Sequence, residues 1–156
     1  NYLPLRLSPG DDLRRALEQA ARDSLGDAAF VVAGIGSLST VSLRFAGAEQ
    51  ATLMHGLFEI ISLSGSLSGD GAHLHMSVAS ATGQVYGGHV GPGNVVRTTA
   101  EVLLVALSGW QFSREPDPVT GYNELRIRKL PPGEASDPSA EAISPSLRKP
   151  PSTSSP

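Results

Sequence analysis

His73-Leu74-His75-Met76-Ser77-Val78 and, past a turn, Gln84-Val85-Tyr86-Gly87-Gly88-His89 decide how this chain folds and where its chemistry sits. The first run alternates polar and apolar residues, as a half-buried strand does. Residues two apart on a strand point to one face. His73 and His75 therefore project side by side, and Leu74, Met76 and Val78 turn to the core. Ser80-Ala81-Thr82-Gly83 reads as a turn, with Gly83 free to take a positive φ. A hairpin centred on Thr82 sets His75 directly opposite His89. Cross-strand neighbours on one face have Cβ atoms roughly 4.5–5.5 Å apart. Gly87 and Gly88 are poor strand formers. They predict either a bulge, which would shift that register, or a point where another segment approaches the backbone.

Three imidazoles at this spacing can converge on one divalent ion, so His73, His75 and His89 are the candidate metal ligands. Three neutral histidines with one open position form the ligand set of several catalytic zinc sites. Imidazole alone does not choose between zinc, nickel and manganese. The fourth histidine, His55, reads as an exposed loop residue, with a fourth ligand as the alternative.

Composition bounds the rest. At 156 residues and 40% hydrophobic content, the chain predicts one domain with a real core, over 1–130. The last 26 residues, 131–156, hold seven prolines and seven serines and read as a flexible tail. The net charge of −3 argues against broad, sequence-independent nucleic-acid binding, which needs a basic face. With no cysteine, a disulfide framework and thiolate metal ligands are excluded. No stretch approaches 18 consecutive apolar residues and no signal-peptide pattern opens the chain, so the expectation is a soluble cytoplasmic protein.

Residues 8–25 read as a helix with Ser8 as N-cap, Pro9 at the first position and Gly26 as the stop. Leu13, Leu17, Ala20, Ala21 and Leu25 form its apolar stripe. Arg14, Arg15, Glu18, Arg22 and Asp23 read as a solvated face. Strands are expected at 29–33, 41–45, 58–67 and 122–127. Gly34-Ile35-Gly36-Ser37-Leu38 reads as a turn or a close-packing site, since no lysine follows to make a phosphate loop. Thr98–Leu107 is apolar on both faces, which predicts a strand buried on both sides, with a buried helix as the alternative. One helix followed by many strands implies an α+β domain: a central, mostly antiparallel sheet with the N-terminal helix packed on it.

Five motifs in order, Gly36-Ser37-Leu38, Phe58-Glu59-Ile60-Ile61-Ser62-Leu63-Ser64-Gly65, Asp70-Gly71-Ala72-His73-Leu74-His75, Gly87-Gly88-His89-Val90 and Thr99-Ala100-Glu101-Val102, together resemble the plants-and-prokaryotes-conserved (PPC) domain over about residues 3–130. The resemblance implies an α+β fold, a homotrimer, and a divalent metal, zinc, at His73, His75 and His89. It also implies a DNA-binding or regulatory role, with DNA or other proteins as partners. In plants this domain follows AT-hook motifs. The hook's Arg-Gly-Arg-Pro core, which inserts arginines into the A·T minor groove, is absent here.

The His-x-His…His pattern is also similar to the ligand set of acetolactate decarboxylase. That similarity implies a zinc-dependent enzyme acting on a small carboxylated or carbonyl substrate. Glu59 and Arg44, ionisable residues on apolar strands, are the candidate assisting groups. Glu101 is a third candidate, read as a buried carboxylate. A structural ion pair is the alternative for each. No full catalytic set can be located, and Gly-x-Ser-x-Gly is absent.

Overall fold

The computed structural model describes residues 1–131, in the order β1 (Tyr2–Leu7), α1 (Leu13–Ser24), β2 (Ala29–Arg44), β3 (Thr52–Ser68), β4 (Gly71–Ser80), β5 (Val85–Val90), β6 (Val95–Ala106), β7 (Trp110–Pro116) and β8 (Asn123–Lys129). Six strands form an antiparallel sheet in the order β1-β6-β2-β3-β4-β5. The far end of β2 also pairs with β5, Leu43 against Val90 and Arg44 against His89. Strands β2, β3, β4 and β5 thus close on themselves, and that closure carries the histidine hairpin round to β2. The second sheet is the hairpin β7–β8. The tail expected at 131–156 lies outside the described residues, apart from Pro131.

Among the described residues the fold is dominated by sheet, with one helix of 12 residues, so the α+β expectation holds only in the coarse sense. That helix packs on the core by Leu13 and Leu17, both fully buried, and by Ala21. Each buried leucine contributes roughly 1.5–3 kcal/mol. The helix begins later than expected. Gly10 has φ +91°, outside the helical region, and Ser8 N–H donates to the Asp11 carboxylate in a turn before the helix. Asp12 is the N-cap instead, accepting from Arg15 N–H at 3.1 Å. Gly26, at φ +70°, lies just past the end as expected.

The strands expected at 29–33 and 41–45 are one strand, β2. The glycines between them serve close packing rather than a turn. A Cβ on Gly34 would lie 2.8 Å from Leu63 Cδ2, and one on Gly36 would lie 2.5 Å from the Thr99 carbonyl oxygen. Segment 98–107 is a strand, within β6, but it is buried on one face only. Ala100, Val102, Leu104 and Ala106 enter the core, while Leu103 and Val105 are half-buried and Glu101 is exposed. Among the described residues no second layer covers that outer face. Strands β1 and β7 have no counterpart in the sequence reading. Pro4 masks β1 as a strand, and it is tolerated because β1 is the sheet edge. Asn1 and Leu130 line one recess with Ala106 and Gly109, and Leu130 N–H donates to Gly109 O.

Candidate metal centre

Hairpin β4–β5 has the register that a turn centred on Thr82 demands. His75 pairs with His89, Met76 with Gly88, Ser77 with Gly87 and Val78 with Tyr86, with no bulge. Leu74, Met76 and Val78 are buried. The close approach foreshadowed by Gly88 comes from β2: a Cβ there would lie 2.7 Å from the Arg44 carbonyl oxygen. The glycine thus permits the β2–β5 pairing that sets Arg44 beside His89. Gly65 does the same for β3 and β4, since a Cβ there would overlap the His73 carbonyl oxygen.

The three rings gather on one face. Centroids are 5.1 Å apart for His73–His75, 5.1 Å for His73–His89 and 5.7 Å for His75–His89. One ligand nitrogen from each ring can be chosen so that all lie within 4.8 Å of one another. Tetrahedral zinc with Zn–N bonds of about 2.0–2.1 Å needs nitrogens about 3.4 Å apart. His89 Nδ1 is buried and has no hydrogen-bond partner among the described residues. A buried nitrogen lone pair or N–H left unmet is costly, and a cation would relieve the lone pair. The donor set and the orphaned nitrogen both fit a divalent ion.

The surroundings favour the neutral form of His73 and His89. Burial, then the positive charges and rings of His73, Arg44, Arg14 and His75, push His89 down to about 4. Burial first, then Arg114 and His75, also lower His73, against a smaller raising effect of Glu124. A neutral ring is the form that ligates metal.

Helix α1 fixes the strands that carry the rings. Arg14 Nη2 donates to Ala72 O and Nη1 to Val90 O, each at 2.8 Å, while Glu18 accepts from Ala72 N–H at 3.1 Å. Arg14 therefore clamps the residue before His73 and the residue after His89. Arg14 and Glu18 also pair with each other at 2.9 Å and are about one-fifth exposed. They depart from the solvated face read from the sequence, because the helix sits on β4 and β5 by that side.

A cavity of about 480 Å³ opens beside the rings, lined by Arg44, His73, His89, Arg114 and Glu124 among others. Arg44 is thus brought to the site. Glu59 is not: it is exposed and lines a separate depression with Arg97 and Glu101. Glu101 is exposed too, which corrects its reading as a buried carboxylate. His55 lies on β3 rather than in a loop, its Nδ1 3.3 Å from Thr40 Oγ1, and it is not in the three-histidine group. Sequence reasoning misses Arg114 and Glu124, which come from β7–β8. The alternation Trp110-Gln111-Phe112-Ser113 after Gly109 is the signal that could have found that hairpin.

A sheet closed around a three-histidine hairpin defines the class of protein. The chain belongs to the Plants and Prokaryotes Conserved (PCC) domain family, whose model matches residues 2–108. It is 48% identical over 138 residues to the bifunctional protein GlmU of Synechococcus sp. (strain JA-3-3Ab), covering 88% of this chain and 22% of that protein. The chain spans about a fifth of the length of the curated relatives it matches. Among solved structures it is similar to a hypothetical protein from Salmonella cholerae-suis (40% identity, TM-score 0.80, covering 83% of this chain and 94% of that one). It is also similar to a metal-containing protein from Archaeoglobus fulgidus (28%, TM-score 0.63, 80% and 91%). A protein from Ralstonia eutropha JMP134, provisionally named as DNA-binding, is similar as well (29%, TM-score 0.68, 80% and 90%).

Proposed function

We propose that this chain is a metal-binding module of regulatory type, in which His73, His75 and His89 hold one divalent ion, zinc by preference. The observation that carries this reading is the gathering of three imidazole nitrogens within 4.8 Å, one of them in a ring with an orphaned buried nitrogen. The metal-containing relative from Archaeoglobus supports it. Bound there, such an ion would act as a Lewis acid or lower the pKa of a bound water. Burial and nearby positive charge favour neutral His73 and His89, Arg14 fixes the strands that carry them, and the cavity opens beside these two rings. Elemental analysis of untagged protein tests the reading. We expect close to one equivalent of metal in the parent and loss of it in His75→Ala without loss of the fold. Equal metal in both would reject the assignment.

The module is proposed to assemble as a trimer. Val32 and Ile35 on β2 and Leu53, Leu57 and Ile61 on β3 are each more than half exposed, and exposed apolar side chains gathered on two neighbouring strands favour self-association. DNA binding is a second reading, favoured by the Ralstonia relative. The net charge of −3 weighs against it. A fluorescence anisotropy titration at low salt decides, and no binding to any duplex at micromolar protein removes it. The enzymatic alternative, an acetolactate-decarboxylase-like site, keeps Arg44 at the pocket. Glu124 stands there in place of Glu59 as the nearby carboxylate.

A further inference from the structure

Hairpin β7–β8 lies beyond the stretch that the family model matches, yet it walls the histidine cavity. Its buried Phe112 anchors it edge-on against Phe30, with centroids 5.4 Å apart. From this anchor Arg114 reaches the cavity from one side, and Arg44 lines it beside His89. Among the described residues neither guanidinium forms an ion pair. Each is instead oriented by a neutral oxygen. Arg114 Nη2 donates to Ser66 Oγ at 2.8 Å, and Arg44 Nη1 donates to Ala48 O at 3.3 Å. Asp70, also in the lining, accepts from the backbone N–H of Arg114 at 2.8 Å and so helps fix the hairpin. Two guanidinium groups, neither ion-paired among the described residues, thus share one cavity with His73 and His89 and with the carboxylates of Asp70 and Glu124. That is an anion-binding arrangement, since the guanidinium fork matches the paired oxygens of carboxylate or phosphate. The volume suits a small molecule.

We propose that this cavity is a subsite for a small oxyanion, a carboxylate or phosphate group, held between Arg44 and Arg114 beside the histidines. The hairpin β7–β8 supplies one of the two arginines, Arg114. The subsite rests on the metal-site reading only for part of its affinity. A cation on the histidines adds attraction, but the arginines act without it.

Isothermal titration with inorganic phosphate and with malonate, on zinc-loaded and on chelator-treated protein, tests this, with metal content measured in parallel. Zinc-loaded parent should bind at least one of the two. Arg114→Met and Arg44→Met should each weaken binding tenfold or more while metal content stays at the parental level. Arg126→Met, on the same hairpin but outside the cavity, should leave binding unchanged. A tenfold preference for phosphate identifies a phosphorylated ligand, and the reverse preference a carboxylate. If the parent takes up no zinc, the metal reading fails and the oxyanion site is judged on the chelator-treated protein, where weaker binding sensitive to both arginines is still expected. No heat from either anion in either preparation overturns the proposal, as does binding indifferent to Arg114→Met and Arg44→Met.

Discussion

Single residues set the geometry of the histidine cluster. Arg14 holds the backbone on both outer sides of the ligand pair, at Ala72 and Val90. Supports one step removed from a metal typically cost 10–100-fold in affinity when lost. Arg14→Met should therefore weaken zinc binding by about that factor while the protein still folds, as competition with a chromophoric chelator would reveal. The lowered proton affinity of His89, down to about 4, has a signed consequence. In the unfolded chain this ring protonates near 6.5, in the folded one only well below that. The unfolded state binds more protons between these values, so stability is complete above about 6.5 and falls as the pH drops towards 4. Urea denaturation of chelator-treated protein at pH 7.5, 5.5 and 4.5 should give midpoints that fall in that order, and in His89→Gln the decline should be smaller. The identity of the three rings was readable in the sequence because strand alternation and a two-fold register count are local properties. Arg14 was not, since an arginine on a helix looks the same whether it meets water or a carbonyl 58 residues away.

At the level of elements, β7–β8 is an outer hairpin held by one buried aromatic residue and a few hydrogen bonds from Phe112 and Arg114. Phe112 is 3% exposed and meets Phe30 edge-on. Phe112→Ala should cost about 3 kcal/mol. It should also loosen Arg114 without touching the histidines, so zinc content should persist while anion affinity falls. Hydrogen exchange should localise the new mobility to 110–129, and uniform exchange across β4 and β5 would contradict this account. Elements whose signal is alternation between good turns, such as β4 and β5, were anticipated with their pairing. Those broken by Pro4, or joined through Gly34 and Gly36, were not. A glycine that admits a neighbouring carbonyl and a glycine that ends a strand carry the same letter.

At the scale of the whole molecule, the outer faces of β2 and β3 present isolated chains with an apolar surface. Ile61→Asp should shift the molecular mass measured by light scattering from trimer towards monomer. Parent protein that runs as a monomer at tens of micromolar would remove the trimer. The closure of β2 onto β5 is the part of the architecture that sequence could not supply, because it joins residues through curvature accumulated over four strands. Asn1 and Leu130 border one recess whose lining shares no residue with the histidine cavity. A short splice running from one to the other would therefore cross that recess and leave the pocket's walls as they are.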